Sequence, residues 1–187
     1  MTFRFDEAEH RYWLGDRELP SVTTIIKPAT DYGPVPAKTL DFARDRGGAV
    51  HRACELFDLD DLVEDSLDPV VVPYLKAWKK FTLDFKPKWD AIEKPSYHPG
   101  LLYAGTPDRR GKIGRRHIVA EIKATARIEP AASLQLSGYD LIDGHDNSAL
   151  MVVQLKPDGT YQAPVQRKDH SGFLSFLGVY NWLKRNQ

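Results

Sequence analysis

The chain has 187 residues, 42% apolar and 28% charged, with a formal net charge of zero, a make-up expected of a soluble globular protein with one core. No apolar run approaches the ~20 residues that span a bilayer, and charges interrupt every apolar stretch of the N-terminal MTFRFDEAEHRYW, so no signal-peptide pattern is present. The lone Cys54 excludes an internal disulfide, a zinc ribbon and a four-cysteine iron–sulfur cluster. The expectation is a cytoplasmic protein without membrane contact: a single domain over residues 1–187, with residues 1–20 as a hairpin extension.

In chain order, FRF and HRYWL read as that N-terminal hairpin. Ser21 can cap a short helix closed by Pro28, and TDYGPVP reads as a loop. Ala37 to Phe57 reads as a helix with Phe42, Val50, Cys54 and Phe57 near one face, weakened in its middle by Gly47 and Gly48. Val71, Tyr74, Trp78, Phe81 and Phe85 recur at helical spacing. Three strands follow, Trp89 to Tyr97, Leu102 to Lys112 and Arg116 to Lys123. A helix then runs from Pro130 to about Ile142, SALMVVQLK is a strong β run, and PDGT turns into a short strand, YQAPV. The chain closes with an amphipathic helix, Phe173 to Leu183. Helix, three strands, helix, strand implies an α/β fold, a mixed sheet flanked by helices.

The neutral net charge hides an uneven distribution. Glu55 to Asp68 holds seven acids and no base, whereas Arg109 to Arg127 holds seven Lys or Arg against one acid, and such a basic segment can meet phosphates. Within it the register follows from turn chemistry. Gly114-Arg115 suits a type II′ hairpin loop, which pairs Ile113 with Arg116, Gly111 with Ile118 and Asp108 with Glu121. Two carboxylates opposed across strands repel unless a cation sits between them. Glu121 and Lys123 share a face because side chains alternate along a strand, and Ile118, Ala120 and Ile122 point the other way. An Asp, Glu and Lys cluster suits phosphodiester hydrolysis: Mg²⁺ or Mn²⁺ takes hard oxygen ligands, and a lysine can steady developing charge. The competing reading is a cross-strand salt bridge between Glu121 and Lys123.

Pro107-Asp108, twelve residues, then Glu121-Ile122-Lys123 resembles the PD-(D/E)XK nuclease superfamily. Three further stretches are similar to its RecB-like branch: Gly47 to His51 as G-x-x-x-H, followed by Glu55; YAGTPD over Tyr103 to Asp108; and Gln135 with Tyr139 as Q-x-x-x-Y. The resemblance implies a restriction-endonuclease-like core. It implies one or two Mg²⁺ or Mn²⁺ ions held by Asp108, Glu121 and the carbonyl of Ile122 with help from His51. Lys123 then supports the attacking water, and Gln135 and Tyr139 line the site near the DNA strand. Compactness, the N-terminal hairpin and PSVTTII look most like small phage-encoded exonucleases that feed recombination.

The expectation is therefore a metal-dependent DNA exonuclease, with Arg109, Arg110, Lys112, Arg115 and Arg116 as candidate phosphate contacts. Glu93 reads first as a strand-edge salt-bridge partner and second as a further acidic participant. His51 and Glu55, one helical turn apart, also suit a local pair. A structure-specific or restriction-like endonuclease and a non-catalytic nucleic-acid-binding module are the alternatives. A single-strand annealing partner and a homo-oligomer are associations the sequence leaves open.

Overall fold

The computed structural model describes residues 1–30, 37–145 and 147–186; most of the TDYGPVP segment lies outside them. The N-terminal segment folds as three antiparallel strands, β1 (Phe3–Asp6), β2 (Arg11–Leu14) and β3 (Arg17–Leu19), one more than a hairpin because Gly15 in the left-handed region turns the chain back again. Ser21 caps α1 (Val22–Ile25) by accepting the Thr24 N–H at 2.9 Å, and Pro28 sits inside the following 3₁₀ turn, Lys27–Ala29.

Helix α2 (Ala37–Asp58) runs unbroken through Gly47 and Gly48. Val50, Ala53 and Cys54 form its buried stripe, whereas Phe42, expected on the same face, is 59% exposed. Helix α3 (Val72–Phe85) buries Tyr74, Trp78 and Phe81 as its spacing predicts.

Each of the first two expected strands is broken in two. Trp89 to Tyr97 divides into β4 (Lys88–Ile92) and β5 (Ser96–His98), interrupted by left-handed Glu93 and by Pro95. Leu102 to Lys112 divides into β6 (Tyr103–Gly105) and β7 (Arg109–Ile113) around Pro107, which has no N–H to give a ladder. Strands β5 and β6 pair apart from the main sheet. Strand β8 (Arg116–Lys123) pairs antiparallel with β7 in the expected register, Ile113 with Arg116 and Gly111 with Ile118. Gly114, at φ 60, supplies the positive first turn position of a type II′ loop.

After α4 (Ala131–Asp143), strand β9 (Ala149–Leu155) lies parallel to β8. YQAPV yields two two-residue strands rather than one, β10 (Tyr161–Gln162) and β11 (Val165–Gln166), both antiparallel to β9. Helix α5 (His170–Arg185) starts three residues before the expected Phe173, because Asp169 accepts the Gly172 N–H and caps it. The result is a six-stranded mixed sheet, β10-β9-β8-β7-β4 with β11 also on β9, flanked by helices.

Both faces of its centre are buried. Ala120, Ile122, Met151 and Val153 meet Val50, Cys54, Trp78 and Phe81 from α2 and α3. Val119, Leu150 and Val152 meet Leu136 and Tyr139 of α4 and Phe173 of α5. The face of β8 that carries Glu121 and Lys123 is thus largely apolar, as a parallel central strand requires. Among the described residues no helix is long and apolar enough to cross a membrane.

Candidate metal centre

The site forms where the start of β7, the end of β8 and the middle of α2 converge. Asp108 is 5% exposed, and its Oδ2 accepts the Ile122 N–H at 2.6 Å. The β7–β8 ladder ends at Arg109 with Ala120. Asp108 and Glu121 therefore come next in line, and Asp108 caps the free N–H of the neighbouring strand. Asp108 Oδ1 lies 3.4 Å from His51 Nδ1 on α2. Glu93 completes the group: its Oε1 is 3.9 Å from His51 Nδ1, and its backbone N–H donates to the Asp108 carbonyl at 3.0 Å. One ligand atom from each of His51, Glu93 and Asp108 can be taken so that all lie within 4.8 Å of one another. A divalent cation fits such a donor set.

Glu121 stands beside this trio. It is 4% exposed; its Oε1 accepts from Lys123 Nζ at 2.9 Å and from Gln135 Nε2 at 2.8 Å, while Oε2 is buried without a hydrogen-bond partner among the described residues. A carboxylate oxygen so placed is costly unless protonated or bound by a cation. Burial, then the nearby Asp108 charge, push the Glu121 carboxyl up to about 7 despite Lys123. Burial also pushes Asp108 up, but His51, Lys123 and the Ile122 N–H outweigh it and hold the carboxyl below its ordinary range. For His51 burial opposes the charged ring, yet Asp108 and Glu93 raise it to about 10. Without a cation, a protonated imidazole thus neutralises part of the negative charge that a metal would otherwise balance.

Gln135 joins the site from α4, taking Lys123 Nζ on Oε1 at 3.2 Å and reaching the Tyr139 hydroxyl at 3.3 Å from Nε2. Gly105 makes room for Tyr139: a Cβ there would stand 2.5 Å from its ring.

The basic residues separate into distinct environments. Arg109 corrects the sequence expectation, since it is fully buried and not a phosphate contact. Its Nε donates to Asp58 Oδ2 at 2.7 Å, Nη1 to the Asp108 carbonyl at 2.7 Å and to Glu93 at 3.2 Å, and its guanidinium lies over Trp78. This buried network holds the Asp108 backbone and the Glu93 side chain, and Trp78 Nε1 donates to Asp58 Oδ1 at 3.0 Å. Arg110 is half-buried and paired with Asp143 at 3.2 Å. Lys112, Arg115 and Arg116 are exposed at the turn end of the hairpin, roughly 20 Å from Lys123 at about 3.3 Å per strand residue. Arg115 and Arg116 border a separate hollow of ≈ 500 Å³ with Lys168. Glu55 pairs with Arg52 at 2.7 Å rather than with His51.

An open cleft of ≈ 490 Å³ leads to the trio, bordered by His51, Glu93, Arg52 and Glu55 and, from the N-terminal sheet and the Thr106 segment, by Phe5, His10 and Thr106. Sequence reasoning missed Asp58 and, on the cleft wall, Phe5, His10 and Thr106; Glu93 is the salt-bridge partner that the sequence suggests first, through Arg109 at 3.2 Å, and also a neighbour of His51 and Asp108. Asp58 lies in an acidic run that offers no local sign of one buried member, and Glu93 is aimed by a left-handed backbone, φ 45, that no pattern announces.

No protein-family profile matches this sequence, and no curated protein does. Among solved structures, an alkaline exonuclease from Laribacter hongkongensis, LHK-Exo, is similar over 90% of this chain and 92% of its own, at 14% identity and a TM-score of 0.44. The same enzyme in complex with dAMP gives 14% identity and a TM-score of 0.45 over the same shares. The protein SSO0001 aligns over 60% of this chain and 58% of its own, with 17% identity and a TM-score of 0.42, so this chain spans under two thirds of that protein.

Proposed function

We propose that the protein is a divalent-metal-dependent DNA exonuclease with a PD-(D/E)XK, RecB-like site on a single domain. The observation that carries this reading is the buried Glu121 Oε2, left without a hydrogen-bond partner among the described residues beside the His51, Glu93 and Asp108 donors. A fold selected only for stability gains nothing from orphaned carboxylate oxygen next to further acids. His51, Glu93 and Asp108 would hold the ion, Mg²⁺ or Mn²⁺, with Glu121 and the Ile122 carbonyl close by. The ion supplies a lowered pKa for an attacking water and relief of charge on the phosphate. Lys123, whose Nζ already bonds Glu121 and Gln135, positions that water and offsets negative charge in the transition state. Gln135 holds both partners in place, and Tyr139 braces Gln135.

Arg115, Arg116 and Lys112 are proposed as secondary backbone contacts remote from the cut. A phage-type role in recombination, with an annealing partner or self-association, and a bacterial cytosolic setting extend the same reading.

The test is incubation with Mg²⁺ or Mn²⁺ and end-labelled linear DNA beside covalently closed circles. Loss of linear DNA alone is the expected result. Nicked circles would move the assignment to an endonuclease, and tight binding without cleavage to a binding module.

A further inference from the structure

The N-terminal sheet is more than a brace. Its aromatic residues form a continuous series: Tyr97 against Phe3 at 4.8 Å, Phe3 against Tyr12 at 6.4 Å, Tyr12 against Phe5 at 4.9 Å, and His10 edge-on to Phe5 at 5.3 Å. Tyr12 is buried within it, but the series ends at half-buried Phe5 and exposed His10, both on the wall of the cleft that holds His51 and Glu93.

Two features tie this wall to the cutting centre. The Tyr12 hydroxyl bonds Thr106 Oγ1 at 2.9 Å and His10 Nε2 at 3.1 Å, and Thr106 is two residues before Asp108. His10 also has a left-handed backbone, φ 52, as does Glu93 across the same cleft at φ 45. L-residues adopt that conformation at a cost, and such strain is concentrated where geometry serves function.

The wall's chemistry selects its ligand. Glu7 and Glu55 also border the cleft, and Arg52 is engaged by Glu55, so this side does not attract a phosphate. Partial burial of the His10 ring lowers its pKa and so disfavours its charged form. Aromatic faces beside acids suit an uncharged, flat group, and stacking on such faces tolerates every base.

We propose that Phe5 and His10 form a stacking platform for the nucleobase of the nucleotide whose phosphate lies at His51, Glu93 and Asp108. This rests on the nuclease reading and names the substrate group the cleft wall takes.

The test measures affinity for a fluorescent single-stranded oligonucleotide in EDTA, where no cleavage occurs, with each terminal nucleotide either intact or abasic. Wild type should bind the intact form about tenfold more tightly than the abasic one, within the range for one base on an aromatic ring. A Phe5→Ala and His10→Asn double variant should bind both forms equally, and Phe5→Tyr with native His10 should restore the difference. Asn tolerates the left-handed backbone, so His10→Asn alone serves if the double variant fails a thermal-unfolding check. A terminal 2-aminopurine should be quenched by wild type and not by the variant. Equal sensitivity to base removal in wild type and variant, or none in either, overturns the platform while leaving the nuclease reading intact. Failure of wild type to bind the intact oligonucleotide overturns the platform as well, whereas the nuclease reading is decided separately by cleavage with Mg²⁺ or Mn²⁺.

Discussion

Replacing Glu121 with Gln keeps the shape of the side chain and removes its charge, and the structure fixes what should follow for stability. The Glu121 carboxyl rises from 4.5 to about 7 on folding, through burial and then through Asp108. The folded chain therefore holds this proton more tightly than the unfolded chain. Its stabilising effect is full below about pH 4.5 and is lost as pH rises through about 7. At about 1.4 kcal/mol per pKa unit, the metal-free protein should lose about 2 kcal/mol from this group between about pH 5 and about pH 6.5. His51, whose raised pKa carries stability that fades from about 6.5 toward about 10, adds its loss mainly above that window, and less of it in the variant, because the Glu121 charge is one of those that raise it. Asp108, held low, contributes throughout it. Urea unfolding in EDTA at the two pH values should show the fall in wild type and not in Glu121→Gln. The variant should also be the more stable protein at pH 8. Mn²⁺ should reverse that order, because an ion bound by the folded state alone raises its stability. Equal pH slopes in the two proteins would refute the reasoning: Glu121 would then be an ordinary ion-pair partner of Lys123.

If His51 is a ligand, its proton, held to about 10 by Asp108 and Glu93, must leave when the ion binds. Mn²⁺ affinity should then rise up to tenfold per pH unit between about pH 7 and about pH 9. Calorimetry in buffers of different ionisation enthalpy should detect about one proton released, and His51→Ala should abolish that release. Arg109→Met should destabilise by about 3–5 kcal/mol, because it strands the Asp58 carboxylate, only 4% exposed, without its partner; a loss under about 1 kcal/mol in chemical unfolding would show the pair is dispensable. Gly48 sits mid-helix on the cleft, and a methyl group added to its Cα would meet nothing within 4 Å. Gly48→Ala should therefore stabilise the helix by about 1 kcal/mol while slowing DNA cleavage, and an alanine variant with undiminished turnover would show that substrate does not use the space.

What the sequence alone determined lies within a few residues of its cause. Ser21 caps its helix through an N–H three residues on, Gly114 imposes a turn at its own φ, and that turn sets the β7–β8 register that aligns Asp108 with the end of β8. Strand alternation then puts Glu121 and Lys123 together. The tertiary structure decided what depends on residues far apart in the chain. Arg109 reads as one more basic side chain until β7 packs beneath α2, where Asp58, 51 positions away, takes its guanidinium out of solvent. Phe42 keeps the helical spacing of a core residue but meets the Arg46 guanidinium, which also lies over Tyr74 of α3, and it stays exposed. Glu93 comes beside His51 and Asp108 because Pro95 and a left-handed backbone end β4 against Asp108, and Phe5 and His10 reach the cleft because Tyr12 bonds Thr106 across 94 residues. Turns, caps and alternation are short-range steric effects and can be read from neighbouring residues. Burial and charge pairing are set by which surfaces meet, and they became definite only when the sheet brought its edges, helices and N-terminal extension together.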